Sequence, residues 1–234
     1  MLVILSDLHF TDASLSAGDN IPARAFAYLA EDIRGIIENQ DAGGRRRLDV
    51  KNVEILLLGD VFDLIRSTRW DALLPPWSTP GAKLEDRAGK VLDGILEANA
   101  GALEEIRKLR DSLGVPARVT YVAGNHDRLV NMFESTRRKA AEVLGLSAED
   151  CDPTRPFPTE FRSEEYAVVA RHGQQFDSLN WGGGFDRPSL GEAVVVKLIN
   201  AFPLNLLDTA ADAVPAGHVA QHVQPQQEQQ NPQK

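Results

Sequence analysis

The chain of 234 residues carries 25 Lys and Arg against 34 Asp and Glu, a formal net charge of −9, the wrong sign for broad electrostatic attraction to nucleic acid. Hydrophobic residues are 43% and charged residues 25% of the chain, an ordinary balance for one sizeable domain with a real core. The single cysteine, Cys151, excludes an internal disulfide framework and reads as an inert loop thiol in a reducing compartment.

Residues 2–6 give the first strand signal. This apolar start is cut short by Asp7 and His9 and has no basic residue ahead of it, unlike a signal peptide. No apolar run approaches the ~20 residues that span a bilayer, so a cytoplasmic protein without a membrane span is expected. Residues 21–39 have helical spacing through Phe26, Leu29, Ile33, Ile36 and Ile37, with Pro22 near the first turn. Residues 41–51, which hold Gly43, Gly44 and the triplet Arg45-Arg46-Arg47, read as a solvated loop rather than a phosphate patch.

Residues 53–58 form a largely apolar run ending in Gly59-Asp60, the pattern of a strand covered on both faces. Residues 70–81, rich in Pro and Trp, read as an ordered excursion, with Trp70 and Trp77 in core or lid packing rather than stacked on a base or sugar. Residues 83–113 predict one long amphipathic helix, stopped by Gly114 and Pro116. A strand over 119–123, a helix over 129–144, a strand over 166–170 and a helix over 190–202 follow. From Pro215 the composition collapses into a polar, Gln-rich stretch that cannot form a core. The domain is therefore expected over 1–214, with a disordered tail over 215–234. Alternating strands and helices predict α/β architecture with a mostly parallel sheet.

In such sheets ligands bind beyond the carboxyl ends of the strands, and the polar clusters fall there. Ser6-Asp7-Leu8-His9 follows the first strand and Gly59-Asp60-Val61-Phe62-Asp63 the second. Gly124-Asn125-His126-Asp127 follows the third, and His172-Gly173 follows the strand over 166–170. Carboxylates, an asparagine and neutral imidazoles are oxygen and nitrogen donors that suit Mn, Fe or Zn. Buried without a cation, each charge would cost several kcal/mol.

These motifs, in this order, resemble those of the calcineurin-like metallophosphoesterase superfamily over roughly residues 1–176. The resemblance implies a layered α-β-β-α sandwich, with the completeness of its second sheet left open, and a hydrolase that cleaves a phosphomonoester or phosphodiester by attack of a metal-bridging hydroxide. It implies two divalent metal ions: Asp7 and His9 on the first, Asn125 and His172 on the second, and Asp60 bridging both. His126 would face the phosphate and protonate the leaving oxygen, with Asp127 orienting its ring. Asp63 would support the site from behind the ligands or cap the following helix, and Arg128 would touch substrate or form a surface ion pair. Two cations would also add four positive charges at one place, enough to attract a phosphate to an acidic protein.

The family's closing motif, Gly-His-x-His, has one counterpart here, Gly217-His218 with His222, whose histidines stand four apart. Spacing of two suits an extended segment and spacing of four a helix. Either the chain departs from the family after residue 202, or His218 and His222 fold back to complete the site. A non-catalytic descendant that binds metal or a partner protein is the alternative reading. The expected partner is a phosphorylated small-molecule or macromolecular substrate, with nucleic acid disfavoured by charge. Which substrate it is, and the oligomeric state, are not legible in these residues.

Overall fold

Three parallel strands, β1 (Leu2–Leu5), β2 (Val53–Leu58) and β3 (Ala117–Val122), make a sheet in the order β1-β2-β3. Leu5 pairs with Leu57 and Leu58 with Val122, so all three strands run out at the same edge. The computed structural model describes residues 1–15, 20–38, 49–70, 74–147 and 151–202. The arginine triplet at 45–47, His218, His222 and the tail over 215–234 lie outside these residues.

Strand alternation divides the core in two. Val53, Ile55 and Leu57 face a helical layer that buries Phe26, Ala30 and Ile33 of α1 (Ala23–Glu38). The same layer includes Val91, Leu92 and Ile95 of α2 (Gly81–Ala98) and Leu103, Ile106 and Leu109 of α3 (Ala100–Ser112). Leu56 points the other way and joins Val122, Phe161 and Ala170 in a second cluster. The last two belong to an antiparallel pair, β4 (Phe161–Ser163) and β5 (Val168–Ala170), so a small second sheet covers the face that the helices leave. The expectation of a mixed α/β fold with a parallel sheet holds at this level. Among the described residues, no helix is long and apolar enough to cross a membrane.

Two expected helices are broken, each by a polar contact that periodicity does not register, and a third changes its winding. The segment over 83–113 divides at Asn99, whose Nδ2 donates to the carbonyls of Ile95 and Thr11, both at 2.8 Å. The segment over 129–144 divides at the extended Phe133 into α4 (Arg128–Met132) and α5 (Glu134–Val143), and the Thr136 hydroxyl donates into the break, 2.8 Å from the Val130 carbonyl. The segment over 190–202 is α6 (Leu190–Val194) followed by a π-type turn over Val195–Ile199. Strand β4 was not expected, because three residues are too few to show a period. Trp70 is a core residue whose indole N–H donates to the Leu64 carbonyl.

Candidate metal centre

The loops after β1 and β2 are zipped together beyond the sheet. Asp7 N–H donates to Gly59 O at 3.1 Å, His9 N–H to Asp60 O at 2.9 Å and Phe10 N–H to Val61 O at 3.0 Å. Asp63 N–H returns to Phe10 O at 2.9 Å. This ladder holds three non-glycine residues at positive φ: Asp7 at 57°, His9 at 47° and Asp60 at 52°. Such conformations cost about 1–3 kcal/mol each and persist where the surroundings enforce them. Here they turn the side chains of all three residues into one space.

Asp60 is the hub. Its Oδ2 lies 3.1 Å from His172 Nε2, 3.8 Å from His9 Nε2 and 4.0 Å from His126 Nε2, while its Oδ1 accepts the His126 backbone N–H at 2.8 Å. The opposite ring nitrogens are held from behind. Asp63 contacts Nδ1 of His9 at 3.2 Å and Nδ1 of His126 at 2.8 Å, one imidazole to each carboxylate oxygen. His172 Nδ1 donates to the Leu58 carbonyl at 3.1 Å. An imidazole fixed through Nδ1 by a carboxylate or carbonyl, with Nε2 presented inward, is the usual supporting arrangement around a bound metal.

Donor atoms of Asp7, His9 and Asp60 lie within 4.8 Å of one another, as do those of His9, Asp63 and His126. The donor set and its backing therefore fit a divalent cation, with Asp7, His9 and Asp60 as the innermost group. Asp7 is the exposed member, its carboxylate hydrogen-bonded by the Ser6 hydroxyl. Asn125 sits in the turn between β3 and α4, where its carbonyl accepts Arg128 N–H at 3.3 Å. His172 reaches the hub from the second sheet, just past β5.

Two glycines make room. A Cβ on Gly59, itself at φ +80°, would stand 2.4 Å from the His172 ring, and one on Gly124 would stand 2.2 Å from Asp60 Oδ1. Neither residue tolerates a side chain while the imidazole and carboxylate keep their places.

Charge pairing governs protonation. Burial alone would raise Asp60 and Asp63, yet the neighbouring imidazoles outweigh it and hold both carboxyls below the usual range. Burial would lower His126, but the hydrogen bond and charge of Asp63, with the charge of Asp60, lift it from 6.5 to about 9. His172 rises to about 9 against the same burial cost, through its hydrogen bond to Asp60.

Two expected roles are corrected. Asp127 does not orient the His126 ring; Asp63 does. Fully buried Asp127 instead accepts the N–H of Phe62 and of Gly124, both at 2.9 Å, and so ties the loop after β2 to the turn after β3. Burial and the charge of Asp60 push its carboxyl up to about 6. Arg128 is not at the surface, either for substrate or for an exposed ion pair. It is 6% exposed and forks onto Glu192, with Nη2 2.5 Å and Nε 2.9 Å from the carboxylate. The sequence reading missed Glu192, and its signal is local: Ser189 and Glu192 have capping-box spacing, which says nothing of a partner 64 residues away. Compared with known proteins, the chain matches no family model, no curated protein and no solved structure.

Proposed function

We propose that this chain is a divalent-metal-dependent phosphoesterase acting on a phosphomonoester or phosphodiester, on a fold of the layered α-β-β-α kind. The convergence of three imidazole Nε2 atoms on Asp60, each ring fixed from behind through Nδ1, carries the reading. Asp7 and His9 would hold one cation, Asn125 and His172 a second, and Asp60 both; Mn, Fe and Zn suit these donors. Bound cations would polarise the phosphate and supply a nucleophile from water at neutral pH.

The chain's own part in the chemistry falls to His126. Asp63 holds its Nδ1, so Nε2 is the nitrogen left to face a substrate. Held this way, His126 can stabilise phosphoryl charge and donate a proton to the leaving oxygen. The supporting carboxylate serves His9 as well, which couples the metal ligand and the acid through one residue.

Hydrolysis of bis-p-nitrophenyl phosphate and p-nitrophenyl phosphate with added manganese tests this. Asp60→Asn should abolish turnover together with metal retention. His126→Ala should keep the metal and lose roughly 10²–10⁴-fold in rate. A folded protein that holds its ions and turns over neither ester would overturn the catalytic reading in favour of metal or partner binding alone.

A further inference from the structure

Ser189 and Glu192 open α6 with the spacing of a capping box, and the Ser189 hydroxyl accepts the Glu192 N–H at 3.1 Å. In a capping box the glutamate turns back to the N-cap amide. Here its carboxylate takes the buried Arg128 guanidinium instead, two residues past His126. Arg128 also reaches the Asp186 carbonyl at 3.4 Å. Eight residues after Glu192, buried Asn200 donates from Nδ2 to the carbonyls of Ile65 at 2.8 Å and Ser67 at 3.2 Å, in the turn that starts at Asp63.

Glu192, Val196 and Asn200 form one buried stripe, whereas Leu190, Leu198 and Ile199 are exposed. In a uniform α-helix a residue eight positions on is rotated by roughly 80° from the first. The π-type turn over Val195–Ile199, closed by Asn200 N–H onto Val195 O at 2.9 Å, takes in one more residue per hydrogen bond and returns Asn200 toward the line of Glu192. One short helical segment therefore grips both loops whose side chains meet in the Asp63–His126 hydrogen bond.

We propose that Glu192 and Asn200 are positioning residues that set the Asp63–His126 geometry, which rests for its kinetic consequence on the role of His126 proposed above. A bidentate fork fixes orientation as well as distance, and a buried pair of this kind is weak support for stability taken alone. Two grips, one on each loop, hold the distance between donor and acceptor. Neither grip touches the metal ligands directly.

The test uses the full chain as Glu192→Gln and Asn200→Ala, with Leu198→Ser as the control on the exposed stripe. Imidazole ¹H–¹⁵N NMR of chelator-treated protein reads the His126 Nδ1 proton held by Asp63, without need of activity. That signal should broaden or vanish in both positioning variants and survive in the control. Steady-state kinetics on bis-p-nitrophenyl phosphate should show kcat down by roughly 10²-fold, the scale of a ~1 Å misplacement, with KM little changed. Should Glu192→Gln fail to fold, Arg128→Met/Glu192→Leu removes both charges at once; a folded double variant should still lack the imidazole signal. Folded variants that keep the wild-type signal overturn the proposal. A wild-type protein without turnover would instead sink the phosphoesterase reading and leave the NMR comparison to decide this one.

Discussion

Asp63 serves two imidazoles at once, one on each carboxylate oxygen, and this sharing makes it the residue whose loss spreads furthest. Asp63→Asn keeps the shape but offers one acceptor and one donor where two acceptors are needed. We expect metal affinity to fall by about 10–100-fold, the usual effect of removing such a support, measured by competition with a chromogenic chelator. Unchanged affinity would mean that the rings are held by packing alone. The protonation states add a pH prediction for the metal-free protein. His126 and His172 titrate at about 9 in the folded chain against 6.5 for the free side chain. Raised folded values contribute stability that is full below pH ~6.5 and lost as pH climbs to ~9. Thermal melts in chelator should therefore decline across that window, and a flat profile would show that these imidazoles gain no proton-linked pairing on folding. Of these facts the sequence shows the residue types but not the partners. Asp127 stands beside His126 in the chain and invites the role of ring support, yet the contact belongs to Asp63, 63 positions away.

At the scale of elements, the site is made by loops that continue the sheet's pairing rather than by the strands. Parallel strands bring three loops to one edge, and the backbone ladder between the first two enforces the left-handed conformations of Asp7, His9 and Asp60. The order of strands and helices was legible in the apolar periodicity of residues 53–58, 83–113 and 119–123. The breaks were not, because they rest on single polar contacts, at Asn99 and Thr136, that an apolar period does not record. Asn99 is the clearest case: its Nδ2 satisfies Ile95 O, the last turn of α2, and Thr11 O in the loop after His9. Asn99→Ala should cost about 0.5–1.5 kcal/mol, the net worth of a hydrogen bond, because the Thr11 carbonyl keeps Asn20 Nδ2 and the Ile95 carbonyl keeps the Asn99 backbone N–H, as read by urea unfolding. Stability within error of the parent would show that the donors these carbonyls keep are sufficient.

Over the whole molecule, the two faces of one parallel sheet carry different partners. Helices cover one face and the β4–β5 pair the other, and only the second sheet delivers His172 to the hub. The candidate centre thus sits where both layers meet, and a cation bound there should stabilise the chain globally. Manganese at 100-fold over its Kd should add about 2.7 kcal/mol, seen as a higher Tm that chelator reverses and Asp60→Asn lacks. A Tm indifferent to divalent metal would overturn the metal-centre reading itself. What the sequence determined alone was the α/β class and the placing of Asp7, His9, Asp60, Asn125, His126 and His172 just beyond strand runs, because apolar periodicity and strand ends are local properties. What only the tertiary structure decided was who holds whom: Asp63 on two histidines, Leu58 on His172, Glu192 on Arg128 and Asp127 on the backbone amides of Val61, Phe62 and Gly124. Each of these joins segments far apart in the chain or a side chain to backbone, and chain spacing carries no record of which acceptor a buried donor will meet.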